Sequence, residues 1–465
     1  MMIPDRFPAV VAVAAMGVYV VLLAGATTVV TDAAAACQGW PGCGPALAAP
    51  STAIGWIAIA HRVVAFLVGL TVLAAAVMAW DGATSRRVKW VLTGAVVLYP
   101  IQSGIGAVVA TTATTSAMSR LHLVMGMLIF AGLVTALAWW LEDETGTPSD
   151  GAVAAPERDL PPVDEVSEPS LPDGIWNRAQ ATVAAYYRLM KPRLMWLLCL
   201  VASAAMALAG GEGFTATTVA ATLSGGALAI GASGTFNHVL ERDVDRRMKR
   251  TSDRPLATEL IPVRRAMLFG VTLAAVSLGL FWSVNVLAAI LGAVAIVFYS
   301  VIYTLILKPN TVQNTVIGGA AGALPALIGW AAVTGEIGVG GVLLAAVIFL
   351  WTPAHFYNLA LAYKDDYERG GFPMMPVVRG ETTTRRHILW YTGATFLAAA
   401  VLAWVTSALG LLYMVVGVSV GGVFLWAIVR LHYEQTETAA FRAFHASNAY
   451  LGCLLIAVVL DTIAL

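Results

Sequence analysis

The chain has 465 residues, of which 59% are hydrophobic and 12% charged, and its mean hydropathy is +0.79. A soluble domain carries about 25% charged residues, so this composition excludes a soluble globular protein and predicts an all-α integral membrane protein. The net charge is zero, and nothing in it suggests a nucleic-acid partner.

Windows of about twenty apolar residues predict thirteen membrane spans in two groups. The first group comprises spans near 9–30, 55–79, 90–110 and 120–140. The second comprises spans near 194–210, 215–236, 265–283, 286–307, 313–333, 338–360, 388–409, 411–430 and 444–463. The first span begins close to the N-terminus and lacks a small-residue cleavage pattern, so we expect it to stay as a helix.

The two groups are separated by an acidic segment. Residues 142–173 carry ten acidic residues, one basic residue and six prolines, a composition that cannot bury a core and predicts a disordered, extended linker. We therefore expect a four-span domain over 1–141, a linker over 142–176 and a nine-span domain over 177–465.

The orientation follows from the basic residues. With a cytoplasmic N-terminus, all of the 27 Lys and Arg residues except Arg62 and Arg120 lie in cytoplasmic segments, as the positive-inside rule requires. This arrangement predicts a multi-pass protein of the cell membrane with its C-terminus outside.

Two histidines of the first domain, His61 and His122, lie near the outer ends of the second and fourth spans. An antiparallel four-helix arrangement brings these ends to the same level, where two imidazoles can ligate one haem iron. The alternative is a pair of interfacial histidines bonded to backbone or lipid head groups. With Cys37 and Cys43 in the first outer loop, the pattern resembles one half of haem A synthase, a family of paired four-helix bundles.

That resemblance implies a disulfide between Cys37 and Cys43, on the face where disulfides persist, and haem b as a ligand of the first domain. It also makes haem A synthase a candidate partner. The family has a Glu important for activity where this chain has Ala58, and no second half follows, so oxidation of a haem methyl group is not expected. We expect the domain to receive, store or pass on haem, or to pair with another copy. The alternative is a structural remnant of a fusion.

The segment Asn237–Leu260 packs ten charges into its first eighteen residues. If the preceding helix continues, Asn237, Glu241 and Asp245 recur every four residues and share one face. Three such oxygen ligands suit Mg²⁺, which fills its octahedron with water and substrate phosphate, and nearby basic residues suit the remaining phosphate oxygens. The segment predicts a diphosphate site. The alternative is a charged, solvated cytoplasmic loop.

A second acidic cluster, YKDDYER at 363–369, follows a later span on the same predicted face. Diphosphates are made in the cytoplasm, whereas an isoprenoid tail or a large flat acceptor prefers the apolar space between helices. Two acidic clusters at the edge of an apolar bundle therefore favour prenyl transfer.

Four separated segments resemble the haem O synthase branch of the UbiA-type intramembrane prenyltransferases. They are MKPRL at 190–194, the segment at 237–260, the segment at 303–335, and LWTPAHFYNLALAYKDDYERGGFPMMPVV at 350–378. The resemblance covers the chain from about Tyr186 onwards and implies a nine-helix bundle with a central cavity, where Mg²⁺ bridges two acidic motifs and an isoprenyl diphosphate.

The resemblance assigns Asn237, Glu241 and Asp245 to the first metal cluster and Asp365 and Asp366 to the second. All of these except Asp365 are also expected to be catalytic. The chain departs from the superfamily twice: Glu241 replaces the usual middle Asp, and the second motif is not DxxxD.

Five basic residues are candidates for a clamp that neutralises the departing diphosphate. They are Lys191, Arg193, Lys249, Arg254 and Lys308. The alternative for each is a purely topological role as a cytoplasmic positive charge.

His355, in WTPAHFY at the predicted cytoplasmic end of a span, has two interpretations. It contacts haem iron, a haem propionate or the diphosphate, or it is a satisfied polar group within the bundle. The resemblance implies farnesyl, or a longer isoprenyl, diphosphate as donor and a vinyl group of protohaem IX as acceptor. The alternatives are a UbiA-type enzyme that acts on a quinone precursor or a glycerophospholipid, a non-enzymatic haem-binding membrane protein, and a transporter. We find no internal repeat typical of transporters.

Overall fold

The structure is a computed structural model that describes residues 6–33, 35–44, 48–112, 116–146 and 173–464. Every regular element among these residues is a helix. Thirteen helices there are long and apolar enough to cross a membrane, four before the acidic segment and nine after it. The chain is therefore a multi-pass membrane protein, and the predicted four-plus-nine division into spans is confirmed.

The first four helices form an antiparallel bundle. They are α1 (Arg6–Val30), α2 (Ala53–Asp81), α3 (Arg86–Thr111) and α4 (Ser116–Thr145). α1 packs against α2 and α4, and α3 packs between α2 and α4. Thr52 caps α2 because its hydroxyl accepts a hydrogen bond from the Gly55 backbone N–H at 3.1 Å.

The remaining elements are α5 (Ile175–Leu189), α6 (Pro192–Ala209), α7 (Ala216–Leu240), α8 (Arg242–Asp245), α9 (Val263–Val284), α10 (Val286–Val297), a π-helical segment (Phe298–Leu307), α11 (Lys308–Asn310), α12 (Asn314–Thr334), α13 (Val339–Ala362), α14 (Lys364–Arg369), α15 (Met375–Val378), α16 (Glu381–Val405), α17 (Leu411–Glu434) and α18 (Glu437–Ala464). α6 lies against α7, α12, α13 and α18, and α10 packs on both α9 and α12. The short helices α8, α11 and α14 lie at or just after the ends of spans and carry the charged residues Asp245, Lys308 and Asp366.

Asn285 marks the boundary between helices α9 and α10. Its Oδ1 accepts from the Ala288 backbone N–H at 2.8 Å, which caps α10, and its Nδ2 donates to the Ala331 carbonyl at 2.8 Å. One side chain thus begins a span and fastens it to α12.

The two groups of helices pack directly on each other and share one buried core. Helices α1 and α4 contact α16, and the Tyr19 ring stacks on Phe396 with centroids 4.8 Å apart. At the ends of these helices Glu142 pairs with Arg386 and, at 3.0 Å, with Arg87. The apolar contact between the two groups of helices is therefore flanked by ion pairs at the Glu142 end of α4.

The predicted linker differs from the structure at both ends. Residues 142–145 complete α4, because Glu142 and Asp143 are held by Arg87, and α5 begins at Ile175. Residues 147–172, the greater part of the predicted linker, lie outside the described residues. The domain boundary itself stays a prediction.

Candidate functional site

The first acidic motif lies at the junction of α7 and α8. The Glu241 N–H donates to the Asn237 carbonyl at 2.9 Å and the Asp245 N–H donates to the Glu241 carbonyl at 2.8 Å. The four-residue relation is therefore kept across the end of α7, as the spacing predicts. All three side chains are buried, which separates them from the exposed acids of the same segment.

Asn237 is held from two elements. Lys191, at the N-cap of α6, donates its Nζ hydrogen to Asn237 Oδ1, and Asn237 Nδ2 donates to the Thr304 hydroxyl at 3.2 Å. The Lys191 Nζ also lies 3.2 Å from the Tyr299 hydroxyl and 5.5 Å from the centre of that ring. The MKPRL segment thus reaches the acidic motif, as its place among the resembling segments suggests.

The two carboxylates of the motif are paired with cations. Lys308 Nζ donates to Glu241 Oε1 at 2.5 Å and lies 4.3 Å from the centre of the Phe372 ring. One Arg254 nitrogen donates to both oxygens of Asp245, at 2.8 and 2.7 Å. We name the six residues Lys191, Asn237, Glu241, Asp245, Arg254 and Lys308 the acid–base cluster.

Burial and charge shift the pKa values within this cluster. Burial, with the nearby charge of Arg254, lowers the pKa of Lys191 to about 7, although Glu241 and Asp245 oppose it. Burial raises the pKa of Asp245, and the Arg254 charge offsets only part of that rise. Burial also acts upward on Glu241, but Lys308 and Lys191 outweigh it, so its pKa is lowered. Shifted pKa values within one group of neighbouring side chains are typical of functional sites.

Of the two aspartates in the second acidic motif, one is buried and bonded to the loop after α8. Asp366 is buried and accepts hydrogen bonds from the backbone N–H groups of Lys249 (3.2 Å) and Arg250 (2.9 Å), and it pairs with Arg369. Burial raises its pKa, but the Arg250 N–H and the Arg369 hydrogen bond outweigh burial and lower it. Asp365 is exposed. In this structure Asp366 therefore fastens the loop after α8, and Asp365 stands apart from the acid–base cluster.

Two of the predicted clamp residues differ from the members of the cluster in their exposure to solvent. The side chains of Arg193 and Lys249 are exposed. Arg250, which was not predicted, instead turns inward, with its guanidinium 5.2 and 5.7 Å from the ring centres of Tyr363 and Tyr367.

Further site residues come from the π-helical segment. The Thr304 hydroxyl donates to the Tyr299 carbonyl, five residues earlier, at 2.8 Å. This wider turn brings both Tyr299 and Thr304 to the Lys191–Asn237 contact. π-helical turns are frequent at functional sites, but an apolar sequence read at α-helical spacing gives no sign of one.

His355 is held by structural contacts. Its ring stacks between Trp351 and Phe444, each with centroids 4.3 Å away, and its Nδ1 lies 2.7 Å from the Ser447 hydroxyl. These contacts favour the interpretation as a satisfied polar group that ties α13 to α18, and they give no support for haem contact.

The first domain contains a cavity of about 1160 Å³ that is lined by all four of its helices and by the first outer loop. His61 and His122 both line it, and the Nδ1 atom of each is buried with no hydrogen-bond partner among the residues that the structure describes. A Cβ atom at Gly106 would lie 2.8 Å from Cε1 of His122, so the glycine makes room for the ring. Trp404, from α16, also lines the cavity, which is therefore completed by the second group of helices.

The outer loop is fastened beside His61. Cys37 and Cys43 form a disulfide with Cα atoms 4.4 Å apart. Arg62 donates to the carbonyls of Cys37 (2.9 Å), Gly39 (2.8 Å) and Gly42 (2.9 Å). The loop is thus wrapped around Arg62, which is next to His61 in the sequence. The positive-inside rule, which placed Arg62 only on the outer side, did not predict this structural role.

Comparison with known proteins finds a match to each part of the chain. Residues 196–452 match the UbiA prenyltransferase family, and residues 47–160 match a family described as cytochrome oxidase assembly protein. A solved structure of digeranylgeranylglyceryl phosphate synthase superposes with a TM-score of 0.50 at 16% identity and covers 61% of this chain and 100% of that one. That likeness concerns the fold alone.

Two relatives match along nearly their whole lengths. Protoheme IX farnesyltransferase 1 of Natronomonas pharaonis is 62% identical, over 98% of this chain and 99% of the relative. Protoheme IX farnesyltransferase of Haloarcula marismortui is 60% identical, over 99% of each. The likeness therefore includes the first domain as well as the second.

Proposed function

Because the chain belongs to the UbiA prenyltransferase family, we propose that it transfers a farnesyl group from farnesyl diphosphate to a vinyl group of protohaem IX. The observation that carries this proposal is the likeness, at 60% identity or more along both chains, to two relatives named protoheme IX farnesyltransferase. The bond between C1 of the farnesyl group and the diphosphate oxygen breaks, and C1 bonds to the vinyl group. Water adds to the other vinyl carbon and loses a proton, so the products are haem O and diphosphate.

The acid–base cluster suits the departure of diphosphate. Lys191, Arg254 and Lys308 place three cations within one buried group of side chains. When the diphosphate enters, these cations can turn to its oxygens, and they stabilise the charge that develops as the C–O bond breaks. Fixed cations in a site shielded from water are more effective than the same charges in solution.

The donor set of the cluster fits Mg²⁺. Among the described residues no three His, Cys, Asp or Glu side chains are grouped for a metal, but Mg²⁺ is commonly held by one or two carboxylates plus substrate phosphates. Glu241 and Asp245 supply two buried carboxylates, and Asn237 supplies an amide oxygen. These three residues would hold the ion, which supplies Lewis-acid neutralisation of diphosphate when bound. The oxygens of these three residues are bonded to the side chains of Lys191, Lys308 and Arg254, which can turn away. Asp366 is instead bonded to two backbone N–H groups, which cannot, so it fits less well as a ligand.

Aromatic rings near the cluster suit the allylic cation. Tyr299, Tyr303 and Tyr367 lie beside it, and the Tyr299 and Tyr303 rings are 5.6 Å apart. Ring faces stabilise a nearby cation, and an apolar wall keeps water away until the carbon–carbon bond has formed. We place this site at the cytoplasmic face of the cell membrane, from the distribution of basic residues.

Labelled farnesyl diphosphate tests the assignment. Membranes containing the chain are incubated with it and with protohaem IX, a quinone precursor or a glycerophospholipid, and the labelled products are separated. We expect label in haem. Label in a quinol or a lipid, with none in haem, would favour one of the other acceptors and overturn the assignment.

A second proposal concerns the first domain, which we infer binds haem. The carrying observation is the cavity lined by His61 and His122, whose buried Nδ1 atoms have no hydrogen-bond partner in the described part of the chain. These residues would hold the iron from two sides. Ala58 stands where the resembled oxidase family has its Glu, so this domain is proposed to hold haem rather than to oxidise it.

A further inference from the structure

A second and more polar cavity, of about 580 Å³, lies between the α11–α12 junction and the α15–α16 segment. Its volume falls in the range of about 300–1,000 Å³ usual for small-molecule sites. We name it the side cavity, and its lining residues are Asn310, Thr311, Val312, Gln313, Met375, Arg379, Thr383 and His387.

The side cavity adjoins the acid–base cluster. Asn310 is two residues beyond Lys308, and Met375 is three residues beyond Phe372. The Lys308 Nζ lies 4.3 Å from the centre of the Phe372 ring, so the two segments meet at the cluster and continue into the cavity wall. Two walls of the side cavity are thus continuous along the chain with the two segments that meet at the cluster.

The lining combines one cationic side chain with neutral polar and apolar side chains. It contains an arginine, a histidine and several amide and hydroxyl groups, together with Met375 and Val312, and no acidic residue. Arg379 is exposed and makes no ion pair among the described residues. An unpaired guanidinium among neutral donors recognises a carboxylate or a phosphate.

We propose that the side cavity binds a propionate of the protohaem acceptor, with Arg379 as its charge partner; this inference rests on the proposed function. Protohaem carries its vinyl groups and its two propionates on different parts of an apolar ring, so a vinyl group at the cluster leaves the propionates beyond it. The cluster's own cations Arg254 and Lys308 are paired with carboxylates. Arg379, in the lining of the side cavity, is the arginine that remains to pair with a propionate.

The test compares two acceptors in the full-length protein in lipid nanodiscs. Initial rates are measured at saturating farnesyl diphosphate with protohaem IX and with its dimethyl ester, in which both propionates are neutral. Arg379→Gln is expected to raise KM for protohaem about tenfold, as for the loss of one hydrogen bond to a charged group, and to leave KM for the ester unchanged. Arg379→Lys should recover much of the affinity for protohaem.

Arg265→Gln is the matched control, because this arginine is exposed at the start of α9 and belongs neither to the acid–base cluster nor to the lining of the side cavity. An equal rise in KM for both acceptors, as a lipid phosphate in the cavity would produce, overturns the propionate site. Unchanged KM values for both acceptors overturn it as well. Wild-type protein that farnesylates neither acceptor overturns the proposed function and the propionate site together.

Discussion

Asp245 is buried at 2% exposure, and both of its carboxylate oxygens accept from Arg254. Asp245→Asn keeps the size of the side chain and removes its charge. We expect turnover with farnesyl diphosphate to fall by about 10²–10³-fold, the usual loss when one electrostatic contact to a transition state is removed. The measurement is the steady-state rate at saturating Mg²⁺.

The matched control is Asp243→Asn, two residues earlier in the same segment. The Asp243 side chain is 65% exposed and pairs with Arg242 at 2.9 Å, a surface contact of little energetic value. The same chemical change there should leave turnover nearly unchanged. Near-normal turnover in Asp245→Asn at saturating Mg²⁺ would reject the motif as the metal-binding cluster.

Lys191 gives the site a pH dependence. Burial lowers its pKa to about 7, and a lysine loses its charge as the pH rises through its pKa. If the charged form binds diphosphate, kcat/KM for farnesyl diphosphate should fall about tenfold per pH unit at alkaline pH, since this parameter follows the free enzyme. Lys191→Arg should abolish the fall, because a guanidinium stays protonated. A fall that persists in the arginine variant would assign it to another group.

The sequence indicated part of this site. Asn237, Glu241 and Asp245 could be predicted together because the four-residue spacing is a local property of the chain. Arg250 could not, since its place beside Tyr363 and Tyr367 results from contact between segments more than a hundred residues apart. The sequence also could not predict which aspartate of the second motif is exposed. Asp365 and Asp366 are adjacent and chemically equal, yet only Asp366 is buried.

At the scale of helices, the backbones of α12 and α6 approach each other closely at Gly329. A Cβ atom at Gly329 would lie 2.4 Å from the Ala202 carbonyl oxygen, so the two helices meet where neither has a bulky side chain. Gly329→Ala should lower the free energy of unfolding by about 1–3 kcal/mol, the usual cost of overpacking. Thermal unfolding in detergent measures the effect.

Gly279→Ala on α9 is the matched control, because a Cβ atom there meets nothing within 4 Å. Alanine is the better helix former, so this variant should be as stable as the wild type or more so. Equal stability of Gly329→Ala and Gly279→Ala would show that α6 moves aside without cost.

Apolar length predicts the spans well because every backbone polar group in a bilayer must be satisfied within a helix. Predicted spans such as 194–210 and 286–307 agree closely with Pro192–Ala209 and Val286–Asn310. Helix α5 was not predicted, since it is polar and lies outside the spans. The π-helical turn at Tyr299–Thr304 depends on one extra residue per turn, which hydrophobicity does not register.

Across the whole molecule, the two groups of helices are joined more closely than a linker requires. Tyr19 stacks on Phe396, Glu142 pairs with Arg386, and Trp404 of the second group lines the cavity of the first. The prediction of a UbiA-type enzyme with an attached haem A synthase-like domain is confirmed by the matches to both parts. Their contact could not be predicted, because apolar helix faces look alike whether they meet lipid or protein.

Haem binding by the first domain has to be tested in the intact chain, because Trp404 of the second group of helices completes the cavity. The double variant His61→Ala/His122→Ala should lose the low-spin absorption of haem with two histidine ligands. It should keep farnesyl transfer to added protohaem, because the acid–base cluster belongs to other helices. His445→Ala, an exposed histidine of α18, is the matched control and should keep the spectrum. An unchanged spectrum in the double variant would show that these histidines do not ligate haem and would favour a structural role for the domain.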